Sequence, residues 1–330
     1  MSGPHFWVVG RGGLLGAEIE RAVLQLLPRA RRFQPPVAHF AWSEQALLQE
    51  QLADAAGWFG RAIREGAPAG WLLFWTAGAG VVGTSASAFA CELNAFECFL
   101  DALRIASAGD GGNGIVFLAS SAGGIHGGSG PDAIDEATPP APISDYGRAK
   151  LAQEEALRVF ARRRPDLRCF IGRISNLYGQ RQKLGKLQGF ISQLSRCAIL
   201  DIPAEVYVPL DTIRDFLYVD DCAQLIVRCA EHLLRAPAPP DPVLKILASE
   251  QPASLAQVIG HLERATRRRV KIVTPRRPGS ALQPTNLHFR SGVLRDVPVP
   301  RLTDLAVGIH RVHEYQSMLF RAGRLPRLER

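Results

Sequence analysis

Near its amino end the chain reads Phe6-Trp-Val-Val-Gly10-Arg-Gly-Gly13-Leu-Leu-Gly16, and no other stretch says more about its fold. Four apolar residues predict a short buried strand, and Leu14–Leu27 has the apolar spacing of an amphipathic helix. The glycines between them follow the spacing GxxGxxG. Glycines at such a junction allow a tight turn, a close approach of phosphate to backbone, and tight helix–strand packing. The helix amino end attracts negative charge, so the stretch predicts a dinucleotide-binding loop.

Short apolar runs alternate with longer helical patterns along the following residues, which is typical of a parallel sheet covered by helices. The predicted strands are Phe6–Val9, Trp71–Trp75, Ile115–Ala119, Arg168–Ile174 and Val243–Leu247, and the predicted later helices are Ala88–Ala106, Tyr146–Arg163 and Tyr218–Leu234. We therefore predict an α/β fold, a Rossmann-type doubly wound parallel sheet with a smaller, irregular C-terminal substrate domain. Residues 1–175 form the predicted NAD(P)-binding domain, to which 216–247 return, and residues 176–330 form mainly a substrate-binding lid.

The second strand is ambiguous, since both Arg31–Gln34 and Val37–Trp42 fit it. Only one helical segment, Ser43–Arg64, separates either candidate from Trp71, so a strand–helix pair usual in such sheets is expected to be missing. Neither candidate ends in the acidic residue that binds the ribose hydroxyls of NAD.

Basic residues offer an alternative partner for the cofactor. Arg11 lies inside the glycine loop, and Arg31 or Arg32 stands nearby in sequence; each fits a 2′-phosphate or a solvated surface charge equally well. The sequence thus favours NADP(H) over NAD(H) as cofactor.

Composition limits the class of protein. The net charge of +8 comes partly from basic runs at predicted helix ends without interleaved aromatic residues, so we predict no nucleic-acid partner. The six cysteines show no metal-ligand spacing, and most of them fall in apolar segments and are predicted to be buried thiols. No apolar stretch is long enough for a membrane helix, and no secretory signal is recognised, so a cytoplasmic location is expected.

A tyrosine and a lysine open the helix that begins in Ser144-Asp-Tyr146-Gly-Arg-Ala-Lys150. Their spacing places Tyr146 and Lys150 one turn apart on one helix face. A lysine ammonium, together with a cationic nicotinamide ring, would favour the phenolate of a neighbouring tyrosine. The tyrosine then exchanges a proton with a hydroxyl while hydride moves to or from the same carbon.

Small polar residues end the strand that precedes this helix. Ala119, Ser120 and Ser121 fall where parallel strands place ligand crevices, at their carboxyl ends. A serine hydroxyl there can hydrogen-bond the reacting oxygen.

These motifs, taken in order, resemble the extended branch of the short-chain dehydrogenase/reductase superfamily, the nucleotide-sugar-modifying NAD-dependent epimerase/dehydratase family. The segments that carry the resemblance are the glycine loop, Thr76-Ala77-Gly78, Asn94, Ser120-Ser121, Tyr146–Lys150, Gly172–Gly179 and Ile213–Asp221.

The resemblance implies a role for each matching position. Ser121, Tyr146 and Lys150 would be catalytic, although counting back from His126-Gly127, in place of the family's usual Tyr-Gly, points to Ala122 instead of Ser121. Asn94 would be structural or part of a proton relay. Asn176 and Arg214, with Ser121, would bind substrate, the first two at its diphosphate, unless Arg214 pairs with Asp215 or Asp220. The implied cofactor contacts are Gly10, Arg11, Gly13, Leu14, Leu15, Gly16, Thr76, Ala77, Gly78, Ala119, Tyr146 and Lys150.

The resemblance leaves several reactions open. Dehydratases of the family carry Asp-Glu where this chain has Ala122-Gly123, which disfavours dehydration. We expect NADP(H)-linked 4-keto reduction of a nucleotide-linked sugar, with 4-epimerisation on tightly bound NAD as the alternative. Two further alternatives stay open: a non-catalytic dinucleotide-binding sensor or structural subunit, and a reductase of a non-nucleotide carbonyl compound. A homodimer is expected by resemblance, and the stretches 183–190 and 202–208 are expected to select the substrate.

Overall fold

The computed structural model describes residues 3–66, 69–78, 80, 84–109, 112–130, 132–184, 189–275, 286–299 and 301–326. In chain order these residues form β1 (His5–Val9), α1 (Leu14–Leu26), β2 (Arg31–Arg32), α2 (Gln45–Gly66), β3 (Trp71–Trp75), α3 (Ala86–Ala106), β4 (Gly114–Ser121), α4 (Ala122–Ile125), α5 (Asp145–Arg163), β5 (Arg168–Ile174), β6 (Asn176–Tyr178), α6 (Phe190–Leu200), β7 (Ala204–Glu205), β8 (Ile213–Tyr218), α7 (Val219–Arg235), β9 (Val243–Leu247), β10 (Pro252–Ser254), α8 (Leu255–Thr266), β11 (Ile272–Val273) and α9 (Leu305–Arg321).

A parallel sheet in the order β2-β1-β3-β4-β5-β9 forms the centre of the fold. Strands β1, β3, β4 and β5 are buried along most of their length because helices cover both faces of the sheet, whereas the edge strand β2 consists of two exposed arginines. One apolar cluster joins the sheet to α2, α3 and α5, and a second joins it to α1 and α7. The strands change direction of progression at β1 and β3, so α1 and α3 leave on opposite faces and open a crevice at the carboxyl edge. The predicted α/β Rossmann-type fold is confirmed.

The second strand is Arg31–Arg32, within the first of the two predicted alternatives. It occupies the edge of the sheet beside β1, and among the described residues no further strand lies outside it. The chain then runs through an irregular loop into α2, which returns it to the start of β3. The expected absence of one strand–helix pair is therefore seen in the described part of the fold.

The later part of the chain forms smaller sheets and a separate apolar cluster. Strands β10, β8 and β6 make one small sheet, and β11 and β7 make another. Helices α6, α8 and α9 pack over Tyr178 and Phe216 of the first small sheet. The strand β9 joins the main sheet beside β5, and α7 packs against α1.

Other features bear on the sequence predictions. Cys169, Cys197, Cys222 and Cys229 are buried free thiols, whereas Cys91 and Cys98 are exposed on α3, since they face away from the sheet. Among the described helices none has the length and apolar character to cross a membrane.

Candidate active site

The glycine loop has the geometry that its spacing predicted. Gly10 has a φ of +94°, and a Cβ there would lie 2.6 Å from the backbone nitrogen of Ala77. A Cβ on Gly16 would overlap the Gly10 carbonyl oxygen and lie 2.7 Å from Thr76 Oγ1. Helix α1 begins after Gly13 with no side-chain cap, so its first backbone N–H groups at Leu14 and Leu15 remain available to a ligand. These residues fit a dinucleotide pyrophosphate.

The β3 side of the crevice is fixed to β1. Thr76 donates from both its backbone nitrogen and its hydroxyl to the Val9 carbonyl oxygen, each at 2.9 Å. Ala77 and Gly78 follow directly. The predicted cofactor-binding segments 10–16 and 76–78 therefore lie against each other.

The arginines proposed for a 2′-phosphate fall in different places. Arg31 Nη1 lies 3.9 Å from the Cβ position of Gly66, at the carboxyl end of α2, and this is the opposite edge of the sheet from the glycine loop. Arg32 donates to Glu20 at 2.7 Å on the protein surface. Arg11 is exposed within the loop itself. The structure thus excludes Arg31 from the crevice and keeps Arg11 in it.

Tyr146 and Lys150 project from the first turns of α5, whose amino end is capped by the Ser144 hydroxyl. Lys150 Nζ donates to the Ala119 carbonyl oxygen at 3.3 Å and to Gln153 Oε1 at 3.1 Å. It also lies 3.6 Å from the Cβ position of Gly78. The lysine ammonium is thereby held between the ends of β3 and β4.

The two neighbouring serines have different environments. Ser121 Oγ accepts from the Gly124 backbone nitrogen at 3.1 Å as the cap of α4. A Cβ on Gly124 would lie 3.1 Å from Ser121 Oγ and 2.9 Å from the Tyr146 ring, so that serine borders the tyrosine. Ser120 instead is buried and donates to Glu154 Oε1 at 2.6 Å. Ala122 is fully buried and carries no polar group for the role.

A buried polar network that the sequence motifs did not predict underlies these residues. Glu154, one turn beyond Lys150 on α5, accepts from Arg173 Nε at 3.0 Å and from Arg173 Nη2 at 2.8 Å. Arg173 Nη1 donates to His126 Nε2 at 3.0 Å, and His126 Nδ1 contacts Ser129 Oγ at 3.2 Å. Burial first, and the Arg173 charge second, lower the pKa of His126 to about 4. The spacing of 146, 150 and 154 was the available signal.

Asn94 does not reach the site. It is exposed and accepts from Gln49 Nε2 at 2.6 Å, on the side of α3 that faces α2. Glu92, two residues earlier and about 200° around the helix, faces the crevice instead. Its Oε1 accepts from the Gly80 backbone nitrogen at 2.8 Å, and its Oε2 lies 3.6 Å from the Cβ position of Gly78. The expectation of a relay through Asn94 is wrong because of this helix phase.

Asn176 and Arg214 share one face of the small sheet. Asn176 pairs in register with Phe216, two residues after Arg214, and alternate residues of a strand face the same side. Asn176 Oδ1 lies 3.9 Å from the Cβ position of Gly123, directly beyond the serines. The two predicted substrate residues are therefore brought towards the Tyr146 region by β6 and β8.

Arg214 is 8% exposed and its Nη1 donates to the Ile213 carbonyl oxygen at 2.8 Å. In the part of the chain that the structure describes, no carboxylate forms an ion pair with it. Asp215 accepts from Ser175 and Ser249 instead, so the alternative pairing of Arg214 is wrong. Burial lowers the pKa of Arg214 to about 10.

Residues 74–242 match the profile of the NAD dependent epimerase/dehydratase family, which is more than half of the chain. The chain belongs to this family. The match runs from β3 to the start of β9 and so includes the tyrosine, the lysine, both serines and Arg214.

Individual proteins of known function match only part of this family member. It is 32% identical over 118 residues to a dTDP-4-dehydro-6-deoxyglucose reductase of Escherichia coli, and the match covers 36% of each chain. The alignment thus spans about a third of that relative's length.

Solved structures resemble the family member over nearly its whole length. A UDP-glucose 4-epimerase of Thermotoga maritima with UDP-glucose has a TM-score of 0.73 at 18% identity, covering 97% of this chain and 99% of that one. RMD of Pseudomonas aeruginosa in complex with NADPH has a TM-score of 0.75 at 18% identity, covering 96% and 99%. At such identities the likeness concerns the fold.

Proposed function

We propose that this family member is an NADP(H)-dependent enzyme that reduces a keto carbon of a nucleotide-linked sugar, with the 4-keto group as its target. The observation that carries the proposal is Arg214, a buried guanidinium without a carboxylate partner among the described residues. A buried charge is costly unless it is paired, and a guanidinium fork suits phosphate oxygens. The diphosphate of a nucleotide-linked sugar supplies such a partner, with Asn176 beside it.

The remaining residues divide the chemistry between them. A bound nicotinamide dinucleotide supplies the hydride. Tyr146 donates the proton to the developing alkoxide, Lys150 favours the phenolate that this leaves, and Ser121 donates a hydrogen bond to the same oxygen. Ser121 Oγ accepts from Gly124, so its own proton is free for that bond. Glycines 10, 13 and 16 and residues 76–78 hold the dinucleotide.

Two features support this choice of cofactor and reaction. Residues 33–43, directly after β2, contain no Asp or Glu to bind the ribose hydroxyls of NAD, and Arg11 stands in the glycine loop, so the sequence favours NADP(H). Ala122 and Gly123 lack the acid and base of a dehydratase. Relatives with identity above 30% include both a dTDP-4-dehydro-6-deoxyglucose reductase and a dTDP-L-rhamnose 4-epimerase, so they fit both reactions. We propose 4-epimerisation on retained NAD as the second candidate, since an epimerase shares the fold.

We propose for the chain the division that its sequence predicts. Residues 1–175, with 216–247, form the cofactor-binding part, and the remainder forms a lid over the sugar nucleotide. We propose a cytoplasmic homodimer that needs no metal.

The first experiment is mass spectrometry of the small molecules released when the purified protein is denatured. We expect an empty site or NADP. Oxidation of NADPH is then followed with dTDP- and UDP-linked 4-keto sugars. Stoichiometric NAD would overturn the reductase and favour the epimerase.

A further inference from the structure

Trp42 is an exposed aromatic residue in the loop between β2 and α2. Its side chain is 48% exposed, although large apolar side chains are usually covered. The ring packs against two other aromatic rings. Its centroid lies 5.9 Å from that of Phe40 and 6.4 Å from that of Trp75, and both contacts are edge-to-face. The backbone of this loop is also tied down, since Ala41 donates to Gln51 Oε1 on α2 at 2.8 Å. The loop therefore presents one aromatic face to solvent.

The position of this face is set by the sheet. Strand β2 runs parallel to β1, so the loop leaves at the carboxyl edge, where the glycine loop also begins. Trp75 pairs in register with Val9, the residue before Gly10. A ring anchored on Trp75 thus lies beside the mouth of the crevice between β1 and β3, on the side of α2 and α3.

This end of the crevice lacks the usual polar partner for an adenosine. Residues 31–43 contain no Asp or Glu, and Arg32 is engaged by Glu20. The missing strand–helix pair also removes a wall that the sheet would otherwise provide. An exposed indole supplies a flat apolar surface, and aromatic side chains bind bases through their π faces without needing a particular hydrogen-bond pattern.

We propose that the indole of Trp42 stacks on the adenine base of the dinucleotide and closes the adenosine end of the crevice in place of the missing elements. This inference rests on the proposed function, since it concerns the cofactor of that site. It assigns adenine binding to a loop outside the stretch 74–242 that matches the family.

The test measures binding by calorimetry with NADPH and with ADP-ribose, which carries adenine but no nicotinamide. Trp42→Ala should weaken both ligands about tenfold, whereas Trp42→Phe, which keeps a ring, should stay within about threefold of the wild type. The matched control is Trp58→Ala: Trp58 is 49% exposed on α2 but stacks on Arg61 at 4.6 Å, and its loss should leave both affinities unchanged. ADP-ribose should also quench tryptophan fluorescence in the wild type and much less in Trp42→Phe.

The outcomes separate the two proposals. Equal affinities of Trp42→Ala and Trp58→Ala, in a wild type that binds NADPH, would overturn the stacking and leave the proposed function intact. A wild type that binds neither NADPH, NADH nor ADP-ribose would overturn both. If Trp42→Ala does not fold, the fluorescence comparison between the wild type and Trp42→Phe decides, since an unchanged quench refutes the stacking.

Discussion

Arg173 and Glu154 form a two-pronged ion pair in which both side chains are almost fully buried, with 2% and 0% of the side chain exposed. The pair links β5, which leads into Asn176, to α5, which carries Tyr146 and Lys150. Ser120 adds the end of β4 through its bond to the same carboxylate. Three elements that carry predicted site residues are thus joined below the crevice.

Removing one partner of this ion pair should destabilise the folded protein. Glu154→Gln leaves a buried guanidinium without its counter-charge, so the free energy of unfolding should fall by about 3–5 kcal/mol. Urea denaturation measures the change. Asp101→Asn is the control, because Asp101 and its partner Arg163 are both 58% exposed and an exposed pair contributes about 1 kcal/mol or less. Equal effects of the two substitutions would contradict the buried-pair argument.

His126 should make stability depend on pH. Its folded pKa of about 4 lies below the ordinary value of 6.5, so the unfolded chain binds the proton more readily. The contribution of His126 to the free energy of unfolding is therefore fully present above the unfolded pKa of 6.5, and it is lost as the pH drops towards 4. Between pH 7.5 and 5.5 this residue should contribute a loss of about 1 kcal/mol.

Denaturation curves of the wild type and His126→Gln at both pH values isolate that contribution. Burial also lowers the pKa of His5, His261 and His313, so the difference between the two proteins, and not the wild-type curve alone, is the quantity to compare. Parallel pH dependences would refute the role given to His126.

A substitution at Arg214 should weaken nucleotide binding without lowering the stability of the fold. Arg214→Met removes a buried charge that lacks an ion-pair partner, so the free energy of unfolding should stay constant or rise. Binding of dTDP or UDP should weaken by about 30-fold or more, because a desolvated charge pair is lost. Calorimetry and thermal unfolding on the same variant check both. Unchanged nucleotide affinity would remove the main support for a diphosphate site.

Tyr146→Phe should abolish turnover and leave cofactor binding intact. Loss of a positioned proton donor lowers kcat by about 10²–10⁴-fold, while the ring still packs near Phe89, 6.2 Å between centroids. Steady-state kinetics and NADPH titration make the comparison. Retained turnover would point to a different proton donor, and an inactive wild type that binds cofactor would favour a non-catalytic sensor.

Two glycines of one loop should respond differently to alanine. Gly16→Ala places a methyl group against the Gly10 carbonyl oxygen and should strongly weaken NADPH binding. Gly12→Ala meets nothing within 4 Å and should bind within about twofold of the wild type. Similar affinities of the two variants would contradict the close packing of the loop.

The sequence by itself determined five of the six described strands of the main sheet, the glycine loop and the helix that carries Tyr146 and Lys150, and it left two alternatives for β2. Strands 71–75, 168–174 and 243–247 match their predicted bounds. Such features depend on local periodicity and on short spacings, which are written along the chain. Residues 185–188 of the predicted substrate-selecting stretch lie outside the described residues.

Only the tertiary structure decided which polar groups meet. It buried Ser120 and left Ser121 beside Tyr146. It turned Glu92 rather than Asn94 towards the crevice. It also joined Glu154 to Arg173, which in turn contacts His126. It also placed Arg31 at the opposite edge of the sheet. Among the described residues it left Arg214 without an ion pair to Asp215 or Asp220, which was the alternative that the sequence left open. These outcomes depend on helix phase, strand register and contacts between residues far apart in sequence, and a single sequence does not encode such distances in any local pattern.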